Sequence, residues 1–199
     1  MTRTVLSDVR ILWPSVFEPA GVPGDPTGKL AFSVVALLPD AAAVKPLLKV
    51  LHDVAAEKHG DKFAKAMVSA FADGGRSPAN HFPIRRCDEN DDSKLAGFDG
   101  WWCRFKANEK YPPTVVDRRA QKIMDTDMIY SGCWCNIDFG AYGWDHRTGG
   151  KGVSFGLNAL QFVRNDDSIG GGGGHSFDEL PDDGTDSDGS TEDEFDSIF

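Results

Sequence analysis

Two runs late in the chain, Tyr130-Ser-Gly-Cys-Trp-Cys-Asn-Ile-Asp-Phe-Gly-Ala-Tyr142 and Gly152-Val-Ser-Phe-Gly-Leu-Asn-Ala-Leu-Gln-Phe-Val163, decide the fold. Both are rich in residues that suit a pleated sheet, and Asp145-His-Arg-Thr-Gly-Gly150 supplies turn chemistry between them. They read as a closing hairpin. Working toward the N-terminus, strand signals recur at Gly100–Lys106 and, after Tyr111-Pro-Pro, at Thr114–Val116. Arg118–Met124 reads as a short helical segment. Residues 4–13 read as a strand broken by Pro14, and Pro19–Gly28 is turn-rich. Lys29–Leu38 is nearly all apolar, the mark of a central strand.

The period changes after Pro39-Asp40. Leu47, Leu48, Leu51, Val54 and Ala55 fall on one helical face, with Pro46 expected in the first turn. Gly60-Asp61 ends that helix and caps a second, where Phe63, Met67 and Phe71 recur every fourth residue. Residues 73–97 are loop-like, and Asp88-Glu-Asn-Asp-Asp92 reads as a solvated turn. Short strands, frequent turns and an early helical insertion point to a mainly β fold. The expected architecture is an OB-fold, a five-stranded Greek-key barrel, rather than a sandwich.

Charge divides the chain. It has 31 acidic and 21 basic residues, a net charge of −10. Twelve of the acidic residues and none of the basic ones lie in residues 165–199, which leaves residues 1–164 with 21 basic and 19 acidic. A Gly170–Gly174 run followed by so acidic a segment buries too little apolar surface to offset its ordering entropy. The expected organisation is a folded domain, 1–164, and a disordered linker and tail, 165–199. Yet the tail carries Asp193-Glu194-Phe195-Asp196-Ser197-Ile198-Phe199. Acidic residues beside Phe and Ile read as a peptide that docks into partners, with Asp193, Glu194, Phe195, Asp196, Ile198 and Phe199 making the contacts.

Other classes find little support. No run approaches the ~20 apolar residues of a membrane span, and Met1-Thr2-Arg3 leads into no signal-like segment. Cys87, Cys103, Cys133 and Cys135 form no C-x-x-C pair, so buried free thiols are expected rather than zinc, as in a reduced intracellular protein. No phosphate-binding loop, nucleophile elbow or His-Glu-x-x-His is present, and neither a catalytic residue nor a metal or cofactor is expected. Asp125, Asp127 and Asp138 are the carboxylates that a Mg²⁺-dependent nuclease would have to gather, which keeps that alternative open. A DNA-mimic module acting through its acidic tail is a further alternative.

The informative pattern is aromatic and cationic. Alternation along Gly100–Lys106 sets Trp101, Cys103 and Phe105 on one face, and Trp102, Arg104 and Lys106 on the other. The first set is core-like. The second places an indole beside two cations, as a single-stranded nucleic-acid groove requires: bases stack on flat rings whatever their identity, while cations follow phosphates. Trp134, Tyr142, Trp144, Arg147 and Lys151 concentrate the same chemistry around the closing hairpin, with His146 beside them. Tyr111, Arg118, Arg119 and Lys122 make a third group. Together these are the expected contacts to single-stranded DNA or RNA.

The sequence also resembles a known family. Pro113-Thr-Val-Val-Asp, Ile129-Tyr-Ser-Gly-Cys and Lys151-Gly-Val-Ser-Phe-Gly-Leu-Asn-Ala-Leu-Gln-Phe-Val-Arg164 look like tailed-phage OB-fold single-stranded DNA-binding proteins, long catalogued as a family of unknown function. The likeness covers most of residues 1–164 and is strongest from Pro113 onward. The acidic ending resembles tails of cellular and phage single-stranded DNA-binding proteins, without the proline common before their terminal Phe. The resemblance implies a non-enzymatic coat on single strands, without sequence preference, during phage replication or recombination in the host cytoplasm. It also implies a tail that recruits replication or recombination proteins.

Overall fold

The computed structural model describes residues 4–21, 28–72, 82–89, 95, 97–147 and 150–170. Among these residues, seven strands and two α-helices follow in the order β1 (Thr4–Gly21), β2 (Leu30–Leu38), α1 (Ala41–His59), α2 (Asp61–Ala72), β3 (Ile84–Arg86), β4 (Trp101–Asn108), β5 (Thr114–Val116), β6 (Trp134–His146) and β7 (Gly150–Arg164). Hydrogen-bonded neighbours run β3-β4-β2-β1-β6-β7-β5, and a parallel pairing of β4 with β7 at Phe105–Phe155 and Lys106–Gly156 closes the sheet on itself. Strands β1, β2, β4, β6 and β7 thus form the five-stranded barrel of an OB-fold, with the helical hairpin inserted between the second and third barrel strands. Among the described residues, no helix is long and apolar enough to cross a membrane.

β1 makes closure possible. Its first half pairs with β6 and its second half with β2, both antiparallel. A strand shared by two neighbours around a small barrel must bend sharply, and bulges supply the bend. Register shifts flank Asp8 and Trp13, which take positive φ values of 52° and 45°. Pro14 lies within the second irregularity, where a missing N–H disturbs no regular ladder. The strand therefore runs through Pro14 to Gly21 instead of stopping there.

The core follows from alternation. Cys103 and Phe105 of β4 point inward, where Phe105, Phe139 and Phe155 meet with ring centroids 5.0–5.5 Å apart. β2 is buried on both faces: Val34, Ala36 and Leu38 enter the main core, while Val35 and Leu37 join Leu12, Cys87 and Leu95 in a smaller cluster outside the barrel. This is why its sequence is continuously apolar instead of alternating.

Three local expectations are corrected. α1 begins at Ala41 behind an Asp40 N-cap that accepts from the Ala43 N–H at 2.9 Å, so Pro46 falls in the second turn, not the first. Arg118–Met124 is not helical. Asp117 accepts from the Arg119 and Gln121 N–H groups at 2.8 Å each, Ala120 takes φ 60°, and Lys122 pairs back to Val116. Such side-chain-to-backbone bonds favour a turn over a helix. Finally, the hairpin strands reach His146 and Gly150, which puts Trp144 and His146 on a strand instead of a turn.

Candidate nucleic-acid interface

The β4 face reads as expected. Trp101 packs against the main core, while Trp102, Arg104 and Lys106 share the outer face, each half-buried. Trp102 is not a bare platform, however. Its indole roofs the smaller cluster around Leu12, Val35 and Leu37, and two guanidinium groups flank it: Arg104 at 5.8 Å and Arg85 at 6.0 Å from the ring centroid. Arg85 pairs opposite Trp102 on β3, within a stretch whose composition reads as a loop. Burial, and then the Arg85 charge, lower the pKa of Arg104, which nonetheless keeps its proton.

The hairpin continues this face. Trp144 lies flat against β7 because its cross-strand partner is Gly152, where a Cβ would collide with the indole, and its Nε1 donates to Ser154 Oγ at 2.9 Å. His146 stands beside it with ring centroids 5.3 Å apart. From the helical side, His59 Nε2 bonds the Gly152 carbonyl at 3.3 Å and bolts the hairpin to α1. Tyr142, 42% exposed, is the next outward ring on β6. Opposite one another, Gly140 and Gly156 then form a bare strip of backbone, with Lys106 on its far side across the β4–β7 pairing. His146, Trp144, Tyr142, the glycine strip, Lys106, Arg104 and the Trp102–Arg85 pair thus share one outer surface. The glycine pair carries no chemistry in sequence, yet on this surface it clears the space beside Tyr142. Arg147 is exposed near the hairpin tip, as is Lys151, which pairs with Asp145 at 3.8 Å.

The third group lies further along. β5 pairs with β7 at Ala159–Gln161, on the edge of β7 that β4 occupies at Phe155–Gly156. Three to five residues of strand set this pairing about 10–17 Å beyond the Lys106–Gly156 contact. Tyr111, 74% exposed, and the exposed Arg118, Arg119 and Lys122 belong to its flanks.

Trp134 is elsewhere. It pairs with Arg164 at the opposite end of the hairpin, ten residues and about 33 Å from Trp144. There it is already engaged: Arg164 stacks over its ring at 4.0 Å, and its Nε1 donates to the Asp166 carboxylate at 2.7 Å. Arg10 completes the arrangement, 3.5 Å from Asp166 and donating to the Asp167 carbonyl at 2.7 Å. Tyr130 Oη donates to the Asp166 carbonyl at 2.8 Å, and the Ile169 N–H reaches the Ser131 carbonyl at 2.8 Å. Gly132 leaves room for this passage, since a Cβ there would strike the Asp167 carbonyl. Asn165–Ile169, grouped with the tail on composition, therefore form a strap against the body. Arg10 and Arg164 lacked any signal in sequence, because their role depends on a strand pairing and on residues beyond it.

The bond from Trp134, and then the Asp167 N–H, lower the Asp166 pKa. A carboxylate with a lowered folded-state pKa stabilises fully above its ordinary value of about 3.9, and that contribution disappears as pH falls through the lowered value. We expect the Trp134 indole N–H resonance to hold its position from neutral pH to about pH 4 and to shift below it; a resonance unchanged down to pH 2 contradicts the strap.

All four cysteines are free and buried, with Cys133 and Cys135 sulfurs 3.8 Å apart. Burial raises the Cys87 pKa to about 11 and that of Cys103 further. Among the described residues no three His, Cys, Asp or Glu side chains are grouped to hold a metal ion. Asp125 caps a turn by accepting from the Asp127 N–H at 3.0 Å, while the buried Asp138 accepts from Asn158 at 3.2 Å. Asp193, Glu194, Phe195, Asp196, Ile198 and Phe199 lie outside the described residues.

Comparison with known proteins agrees with this architecture. Residues 2–192 match the family described as Enterobacter phage Enc34, ssDNA-binding protein. A relative from Acyrthosiphon pisum secondary endosymbiont phage 1, "Putative protein p50", is 31% identical over 182 residues, spanning 89% of this chain and 91% of that protein. The single-stranded DNA-binding protein of bacteriophage Enc34 in complex with ssDNA superposes with a TM-score of 0.57 at 18% identity, over 84% of this chain and 89% of that one. The single-stranded DNA-binding protein gp2.5 of bacteriophage T7 does so with a TM-score of 0.52 at 14% identity, over 90% and 98%. At these identities the superpositions speak for the fold; the family match speaks for kinship. This OB-fold chain belongs to the Enc34 family of phage single-stranded DNA-binding proteins.

Proposed function

We propose that this chain binds and protects single-stranded DNA, without sequence preference and without catalysis, during phage DNA replication or recombination in the host cytoplasm. The observation that carries the reading is the shared surface of stacking rings and cations on β4, β6 and β7, in a chain whose family is one of single-stranded DNA binders. Rings such as Tyr142 and Trp144 accept any base, and Lys106, Arg104 and Arg85 follow the phosphates. The Arg118–Lys122 turn extends the track along β7. RNA offers the same faces and phosphates, so stacking alone does not separate the two. The acidic tail recruits replication or recombination proteins through Asp193–Phe199, and its accumulated charge competes with DNA for the cationic surface.

Fluorescence anisotropy with a labelled oligothymidine and a duplex of equal length, over a salt series, tests this. Single-strand affinity should exceed duplex affinity and fall with salt at a log–log slope of about −0.7 per phosphate contacted. Tyr142→Ala should weaken single-strand binding by about 1–3 kcal/mol with little loss of stability, because its exposed ring packs little. Removal of residues 171–199, which keeps the Asn165–Ile169 strap, should tighten binding at low salt. A salt-independent affinity sinks the proposal, and Mg²⁺-dependent cleavage of the oligonucleotide would establish the nuclease in its place.

A further inference from the structure

The helical hairpin carries a groove that the DNA-binding surface does not use. Pro46, Leu48 and Val68 form its apolar part, and Lys45, Lys49 and His52 rim it, around a cavity of about 570 Å³. The three basic residues recur at helical spacing and so share one side of α1. His52 also lies 3.4 Å from Asp53 and 3.9 Å from Asp61, which leaves Lys45 and Lys49 as the principal cations. Pro46 adds a further feature. Standing in the second turn, it has no N–H to return to the carbonyl of Ala42, another wall of the groove. Apolar lining, two lysines and a carbonyl released from the helix ladder suit a peptide in which carboxylates alternate with apolar rings.

This chain contains such a peptide. Asp193-Glu-Phe-Asp-Ser-Ile-Phe199 intersperses three carboxylates with two phenylalanines and an isoleucine. It follows Gly170 by more than twenty residues, a length of chain that spans on the order of 75 Å when extended. A body of about 170 residues has a radius of gyration of only about 15 Å. Reach is therefore no obstacle.

We propose that residues 193–199 dock into the α1–α2 groove of their own chain, with Phe199 and Ile198 on the apolar lining and Asp193, Glu194 and Asp196 facing Lys45 and Lys49. A partner protein then has to compete with this groove for the same seven residues. The docking goes beyond the DNA-binding reading and stands without it.

Two variants of the full chain, followed by amide NMR, test it. Phe199→Ala removes one ring from the peptide; Lys45→Ala/Lys49→Ala removes two exposed cations from the rim. Phe199→Ala is expected to shift the amides of Ala42–His52 and Val68, and the lysine double variant those of residues 193–199, with the barrel resonances unmoved in both. Raising the salt to 0.5 M should diminish both effects. Tail amides that ignore the loss of both lysines overturn the proposal. So does a Phe199→Ala spectrum that shifts Lys106, Tyr142 and Trp144 in place of α1.

Discussion

Phe105→Ala is expected to cost about 3–5 kcal/mol of folding stability. Phe105 is fully buried and stands where β4 meets β7 to close the barrel, against Phe139 at 5.0 Å and Phe155 at 5.5 Å. Its removal strips the ring contacts from both partners and opens a cavity that three strands cannot collapse to fill, because their backbones are fixed by the closing ladder. Denaturant unfolding monitored by circular dichroism measures the loss. Because Phe105→Leu restores most of the volume, it should recover more than half of the stability. A loss below 1 kcal/mol for Phe105→Ala contradicts the closed barrel.

The second large effect concerns binding. Arg85→Gln/Arg104→Gln is expected to weaken single-strand affinity tenfold or more and to reduce the salt slope by about 1.4, two phosphate contacts' worth. Both guanidinium groups flank Trp102, where the phosphates beside a stacked base would meet both. Glutamine preserves most of each side chain's length, so the wall around Trp102 keeps its packing. Trp102 itself is a poorer probe: it roofs the cluster of Leu12, Val35 and Leu37, so its truncation mixes lost stacking with lost stability. An unchanged slope in the double variant removes Arg85 and Arg104 from the DNA path.

Much of this was legible in the residues. The inward and outward faces of β4 follow from period-two alternation, and the apolar continuity of Lys29–Leu38 correctly marked a central strand. What escaped depends on tertiary context. Pro14 ends a strand in an isolated reading but is accommodated where β1 bulges to serve two neighbours. Arg118–Met124 contains acceptable helix formers, yet the Asp117 side chain captures its first N–H groups and makes a turn. Composition alone could not separate Asp166 and Asp167 from the acidic residues that follow, since the strap is held by Arg10, Trp134 and Tyr130 from distant parts of the chain. For the same reason Trp134, an expected stacking ring, proves to be the strap's anchor in the unliganded chain. Arg85 falls within residues 73–97, a stretch that reads as a loop; pairing with β4 places it beside Trp102.

In the proposed binding mode the single strand follows the outer surface shared by β4 and the Trp144 end of the β6–β7 hairpin. Amide and indole shift mapping, with an oligothymidine titrated into the isotope-labelled full chain, tests it most directly. The expected result is that Arg85, Arg104, Lys106, Tyr142, Trp144 and the Gly140–Gly156 strip move first and furthest, while Trp134 and the Asn165–Ile169 strap respond weakly. Perturbations centred on Trp134, Arg10 and Arg164, with the Tyr142–Lys106 surface unmoved, would contradict it.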